Sequence, residues 1–149
     1  MTATQTIRRY AFFPAAALLF GLAFWGGQES RHARASDVIP HLANMQEVEK
    51  AINTNAPVLF QFDAKWCGYC RALQPHLVKL REQNTLSELH IYKIDVDAAK
   101  DVAAEFGVRS LPTMFVVYKG KVAGFRRGGM TEEQLFDWVA SVQEEIRNG

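Results

Sequence analysis

The chain has 149 residues, of which 48% are hydrophobic and 22% are charged, and its 17 basic residues nearly balance its 16 acidic ones. One compact domain is the expectation for this length. The hydrophobic fraction excludes a disordered acidic tail, and the net charge of +1 excludes a polybasic arm, so we expect no nucleic-acid partner. Residues 1–35 hold four arginines against one glutamate, and the other 114 residues hold 13 bases and 15 acids. Neither balance predicts recognition through charge.

An uncharged apolar run of 17 residues, from Ala11 to Gly27, follows Arg8 and Arg9. This pattern is typical of an export signal, and its length also reaches the lower limit of about 17 residues for a membrane-spanning helix. Small residues at Ala33 and Ala35 form the pattern that signal peptidase recognises. The N-terminal segment is therefore interpreted as a signal peptide cleaved near Ala35 or as a permanent membrane anchor. A buried core helix is the third alternative. The first two place the remaining domain outside the cytoplasm, in a bacterial periplasm, either soluble or tethered to the inner membrane.

Beyond residue 35 the sequence alternates between strand patterns and helix patterns. In chain order, the predicted elements are a strand at 38–39, a helix over 44–52, strand 58–62, a helix from 67 to about 84, strand 91–96, helix 98–106, strands 113–118 and 121–125, and a helix from 131. This order predicts an α/β sandwich formed by one domain over residues 36–149.

Local signals mark several element ends. Asn44 and Thr131 each precede a Glu or Gln by three residues, which is a helix-capping pattern. Asp97 is interpreted as the cap of the helix over 98–106, and Gly107 as its end. The pair Lys119-Gly120 predicts a hairpin turn.

The chain contains two cysteines, Cys67 and Cys70, at the junction between a predicted buried strand and a helix. A zinc site normally takes four ligands and the four histidines are not spaced to complete one, so we expect no metal. Free structural thiols and a structural disulfide closing this short loop remain as alternatives. A redox pair is favoured by helix electrostatics, because unpaired N–H groups at a helix start stabilise a thiolate at Cys67.

The motif Trp66-Cys67-Gly68-Tyr69-Cys70 and the later segment Val108-Arg109-Ser110-Leu111-Pro112-Thr113 resemble the thioredoxin family. The resemblance covers Val38 to Ile146 and implies a three-layer thioredoxin-like sandwich, a central mixed β-sheet flanked by helices, without a cofactor. It implies that Cys67 attacks a substrate disulfide and Cys70 resolves the intermediate. It also implies that Pro112 faces the disulfide after a cis peptide bond.

The sequence departs from the family's pattern before the motif. Gln61 stands where thioredoxins usually have a buried aspartate, and Lys93 resembles the lysine that neighbours that aspartate. Asp63 lies two residues beyond Gln61, on the same face of a strand. Our hypothesis is that Asp63, with or without Lys93, exchanges the proton of Cys70, and the alternative is that Asp63 is a solvated strand-end residue.

The central pair Gly68-Tyr69 resembles that of exported bacterial disulfide isomerases, although 114 residues leave no room for their dimerisation domain. We expect Trp66 to pack at the strand exit and to cover the thiol. The backbone of Leu111 and Pro112 is expected to hold an extended substrate by main-chain hydrogen bonds. Basic residues of the last hairpin are interpreted as a solvated sheet edge, namely Lys119, Lys121, Arg126 and Arg127.

These observations predict a monomeric, extracytoplasmic thiol:disulfide oxidoreductase that reduces exported proteins through Cys67 and Cys70. A membrane redox partner would recharge the pair, and residues 11–27 would attach the protein if they are not removed. Two alternatives remain open. One is an oxidase or isomerase, and the other is a thioredoxin-fold binding or chaperone module with little redox turnover.

Overall fold

A computed structural model of the chain describes residues 39–83 and 89–149. The predictions made for the signal or anchor segment and for Val38 lie outside these residues. No helix in the described part of the chain has both the length and the apolar character to cross a membrane.

Four helices and four strands are formed by the described residues. In chain order they are α1 (Met45–Ile52), β1 (Val58–Asp63), α2 (Gly68–Gln83), β2 (His90–Asp95), α3 (Lys100–Glu105), β3 (Thr113–Tyr118), β4 (Lys121–Arg127) and α4 (Glu132–Asn148). Every predicted element from residue 44 onward is present, with ends shifted by one or two residues.

The strands form one mixed sheet in the order β2-β1-β3-β4. Strand β1 runs parallel to β2, with Val58 opposite His90, and antiparallel to β3, which in turn pairs antiparallel with β4. Of the strand predicted at 38–39, only Ile39 lies among the described residues, and it is not part of a strand. An isolated parallel bridge joins His41 to Lys93 instead, because Lys93 uses its backbone N–H and C=O to bond Pro40 and Leu42.

Helices cover both faces of the sheet, which confirms the predicted three-layer sandwich. Strand β1 is buried along its whole length, so its side chains enter two cores alternately. The core on the side of α2 and α4 contains Leu59, Leu73, Leu77, Leu135, Trp138 and Val139. The core on the side of α1 and α3 contains Val48, Phe60, Phe62, Val102 and Phe115. Strand β1 is therefore packed on both faces up to the point where it leads into α2.

The caps of the longer helices follow the local sequence. Asn44 Oδ1 accepts the N–H of Glu47 at 3.0 Å. Thr131 and Gln134 exchange both bonds of a capping box. The prediction that Asp97 caps the next helix is wrong: α3 starts after Ala99, without a side-chain cap, because the Asp97 carboxylate bonds another residue described below.

The hairpin between β3 and β4 turns at the predicted pair. Lys119 has a φ of 49° and Gly120 a φ of 72°, which is the pair of positive values that a type I′ turn requires. Strand β4 forms the free edge of the sheet among the described residues.

Candidate active site

Cys67 and Cys70 form a disulfide where β1 leads into α2. Their Cα atoms lie 5.3 Å apart, and Cys67 and Cys70 are only 5% and 3% exposed. The backbone N–H of Cys70 points at Cys67 Sγ at 3.1 Å, and Cys67 O accepts the N–H of Arg71 at 3.2 Å. The sulfur of Cys67 therefore lies at the open N–H groups of a helix of 16 residues. This is the environment that stabilises a thiolate once the disulfide is reduced.

Apolar side chains pack around the two cysteines. Ala64 forms a buried cluster with Cys67 and Cys70, and the partly buried Val96 and Leu111 pack against this cluster. The Leu111-Pro112 peptide bond is cis. The tertiary fold thus brings the second part of the family motif, more than 40 residues away along the chain, into contact with the first.

The backbone beside the disulfide has hydrogen-bonding groups that are available to an extended substrate. Pro112 O accepts the N–H of Gly128 at 2.8 Å and has a second lone pair, so the expectation that the backbone of Leu111 and Pro112 holds substrate stays a prediction. Among the described residues, the backbone N–H and C=O of Leu111 make no hydrogen bond. Leu111 is therefore the position at which an extended segment can pair with the main chain.

Two large aromatic side chains stand out of the surface next to the cysteines. Trp66 is 68% exposed and donates its indole N–H to Asp97 Oδ2 at 2.8 Å, so the prediction that it packs at the strand exit is wrong. Tyr69 is 74% exposed and lies against Gly129, where a Cβ atom would approach the Tyr69 ring to 3.4 Å. Both rings are mostly exposed beside the disulfide, so they are accessible to a partner.

A buried ion pair lies behind the disulfide. Asp63 is 5% exposed, and its Oδ2 lies 2.6 Å from Lys93 Nζ. Lys93 Nζ also donates to Gln74 Oε1 at 2.8 Å. Asp63 is therefore not a solvated strand-end residue, and Lys93 has a carboxylate partner in spite of the glutamine at position 61. Asp63 is followed in the chain by Ala64, which belongs to the same buried cluster as the two cysteines.

Sequence reasoning missed Gln74 in this cluster. It follows the buried Cys70 by four residues on α2, which places the two side chains on one face of the helix. A polar residue at that spacing was a signal for an inward-facing partner.

Gln61 is completely buried, and neither its Nε2 nor its Oε1 has a hydrogen-bond partner among the described residues. It lies opposite Lys93 on β2 and opposite Met114 on β3. An amide does not take up or release a proton at ordinary pH. Gln61 therefore occupies the family's acid position without the acid's chemistry.

Comparison with known proteins gives one family. The family model described as Thioredoxin matches residues 40–141. A thioredoxin of Mycoplasmoides gallisepticum is 32% identical over 95 residues, covering 64% of this chain and 93% of that protein. A probable thioredoxin-2 of Caenorhabditis elegans is 37% identical over 95 residues, covering 63% of this chain and 64% of that protein.

Solved structures give the same result. Mitochondrial thioredoxin 3 from Saccharomyces cerevisiae, in its oxidized form, is similar with a TM-score of 0.63 and 31% identity, covering 69% of this chain and 94% of that chain. Thioredoxin of Fasciola hepatica is similar with a TM-score of 0.64 and 28% identity, covering 69% and 98%.

Proposed function

The chain belongs to the thioredoxin family and is a thiol:disulfide oxidoreductase, and from this membership we propose that it reduces disulfides of exported proteins outside the cytoplasm. The observation that carries the proposal is the Cys67–Cys70 pair at the start of α2, with the Cys70 N–H directed at Cys67 Sγ. The reductive direction is supported by similarity to proteins named thioredoxins.

In the proposed reaction, the Cys67 thiolate attacks one sulfur of a substrate disulfide. The Cys67–substrate bond forms as the substrate disulfide breaks, and the departing thiolate takes up a proton. Cys70 then loses its proton and attacks Cys67 Sγ, which releases the second substrate sulfur as a thiolate. Two electrons pass to the substrate, and the Cys67–Cys70 disulfide of the structure is the product.

The second step needs a group that accepts the proton of Cys70. We assign this role to Asp63, because it is the buried carboxylate next to Ala64 and because Gln61 carries no acid. Lys93 keeps the carboxylate in place from the neighbouring strand. The pH dependence of disulfide exchange should change in Asp63→Asn, measured at a temperature where both proteins are folded. An unchanged pH profile would remove Asp63 from the mechanism.

The direction is tested by the equilibrium reduction potential of the Cys67–Cys70 pair in the full chain, titrated against glutathione and dithiothreitol. We expect a value near about −270 mV, that of a reducing thioredoxin, whereas about −120 to −180 mV belongs to an oxidant or isomerase. The higher range would refute the reductive proposal and leave the oxidase or isomerase. A pair that forms no reversible disulfide would favour the binding module.

The extracytoplasmic location is supported by the apolar run 11–27 behind two arginines. A reductant at that location needs electrons from across the membrane, so the proposal includes a membrane redox partner. Expression of the full chain in a bacterium, followed by fractionation and N-terminal sequencing, tests it. An N-terminus near Ser36 in the periplasm indicates cleavage, an intact chain in the membrane indicates an anchor, and an intact chain in the cytoplasm contradicts the location.

A further inference from the structure

Exposed cations lie on the segments that surround the disulfide. Lys65 and Arg71 flank the two cysteines in the chain, and Arg71 Nη1 donates to Lys65 O at 2.8 Å. This bond holds the guanidinium of Arg71 beside the turn that carries Cys67. Both side chains are exposed, so their charges face solvent at the reacting sulfur.

Two more exposed cations lie in the chain next to residues of the Leu111-Pro112 side of the site. Arg109 is exposed and lies two residues before Leu111, which packs against the cluster of Ala64 and the two cysteines. Arg127 pairs with Thr113 across the sheet and lies over the ring of Phe125, with its guanidinium carbon 5.1 Å from the ring centroid. The next residue, Gly128, bonds Pro112. We call the four residues Lys65, Arg71, Arg109 and Arg127 the basic rim.

Among the described residues, none of the four cations of the basic rim forms an ion pair with a carboxylate. Asp63 is buried and paired with Lys93, so it does not compensate the exposed cations. Asp95 and Asp97 lie nearest along the chain to Val96, which packs against the cysteines. The four unpaired cations outnumber these two carboxylates on the segments that carry the site, although residues 36–149 as a whole hold 13 bases and 15 acids.

We propose that the basic rim selects substrates whose reacting cysteine is flanked by acidic side chains. The inference rests on the proposed disulfide exchange but not on its direction. Positive potential around a reactive centre raises the rate of encounter with oppositely charged partners and opposes like-charged ones. Exposed Trp66 and Tyr69 supply apolar contact that does not depend on charge, so the rim decides between substrates of similar size.

A protein segment fits this rim better than an anionic membrane surface does. The cations surround Cys67, so any large surface that covered them would also cover the disulfide. The unbonded backbone of Leu111 lies inside the rim and offers hydrogen bonds to an extended chain. An acidic segment can use both features and still place its cysteine on Cys67.

The test compares two cystine peptides of equal length, one with glutamates and one with lysines beside the cysteine. With the full chain at low salt, we expect the second-order rate constant for the acidic peptide to be about tenfold higher. The ratio should fall to about 2 at 0.5 M NaCl, because screening shortens the reach of charges to a few ångströms. Each protein variant is described by the ratio of its rate constants for the two peptides. A change in the reactivity of the Cys67 thiolate alters both rate constants alike and leaves this ratio unchanged.

Charge reversal at the basic rim should remove the preference. We expect the double variant Arg109→Glu/Arg127→Glu to bring the ratio to about 1, and Arg71→Glu to lower it about threefold. The matched control is Arg81→Glu, also exposed on α2 but about 15 Å further along the helix axis, which should keep the ratio. Circular dichroism verifies that each variant is folded.

Three outcomes would overturn the proposal: a ratio near 1 in the unaltered protein, a ratio that salt does not change, or an equal loss in Arg81→Glu. A different outcome is that the protein reacts equally with both peptides but binds phosphatidylglycerol vesicles, and that charge reversal at the basic rim abolishes this vesicle binding. The basic rim then binds lipid and not acidic protein segments. A reduction potential in the oxidant range would refute the proposed reductive direction without testing the basic rim. In that case the preference for acidic peptides is measured with reduced peptides and the oxidised protein.

Discussion

Lys93 Nζ lies 2.6 Å from Asp63 Oδ2, with the two side chains only 12% and 8% exposed. The pair joins neighbouring strands β1 and β2, and Gln74 extends it to α2. Burying a charge away from water raises the free energy of the folded state unless an opposite charge or a hydrogen bond compensates it. Asp63, Lys93 and Gln74 therefore stabilise one another. The acid and the lysine of this cluster are brought together by strand pairing, 30 residues apart in the chain.

Removing the carboxylate should therefore destabilise the protein. We expect Asp63→Asn to lower the free energy of unfolding by about 3 kcal/mol, because Lys93 is left as an uncompensated charge in the interior. Urea denaturation measures the loss. The double variant Asp63→Asn/Lys93→Met should recover most of it, since no buried charge remains. A single variant as stable as the unaltered protein would contradict the buried pair.

Gln61 offers the opposite prediction. We expect Gln61→Met, which keeps the length of the side chain, to raise the free energy of unfolding by about 1–2 kcal/mol, because two buried and unbonded amide atoms are removed. The matched control is Gln74→Met, which takes an acceptor from Lys93 and should destabilise. If Gln61→Met also destabilises, the Gln61 amide has a bonding partner after all.

Gly124 is required by close packing between β4 and α4. A Cβ atom there would lie 2.8 Å from Val142 Cγ2 and 3.2 Å from the Trp138 ring. We expect Gly124→Ala to cost about 1–3 kcal/mol through overpacking, measured by thermal unfolding. Val142→Ala in the same protein should restore part of this. Gly68→Ala, whose Cβ atom would meet Arg71 only at 3.9 Å, should change stability little.

The capping box of α4 gives a local prediction. Thr131 Oγ1 accepts the N–H of Gln134 at 3.3 Å, and Gln134 Oε1 accepts the N–H of Thr131 at 3.0 Å. We expect Thr131→Ala to lower the free energy of unfolding by about 1 kcal/mol. Thr131→Ser retains the hydroxyl and should stay close to the original value. Equal losses in both variants would mean that the hydroxyl bond contributes nothing.

Features built from neighbouring residues were predictable. A cap such as Asn44 or Thr131 bonds a residue three positions on, and the turn at Lys119-Gly120 depends on two residues that tolerate positive φ. The disulfide between Cys67 and Cys70 belongs to the same class, because two intervening residues place both sulfurs in one helical turn. In each case the spacing of the residues along the chain is sufficient to predict their contact.

Asp97 shows where local reasoning fails. Its position before a helix predicted a cap, but its carboxylate accepts the indole N–H of Trp66, 31 residues earlier in the chain. The same bond holds Trp66 outside the core, against the expectation that it packs. A carboxylate has several possible donors, and only the folded chain decides which of them comes close.

The sequence by itself indicated the family through the resemblance of two motifs, and it indicated the redox pair and the order of elements through residue type and short spacing. The tertiary structure decided that Asp63 has Lys93 as its partner and that Gln74 joins them, and it brings the segments that carry the basic rim to one site. Counting charges along the chain pointed away from recognition through charge. A count averages over the whole surface, whereas electrostatic potential depends on the distances between charges, and folding sets those distances.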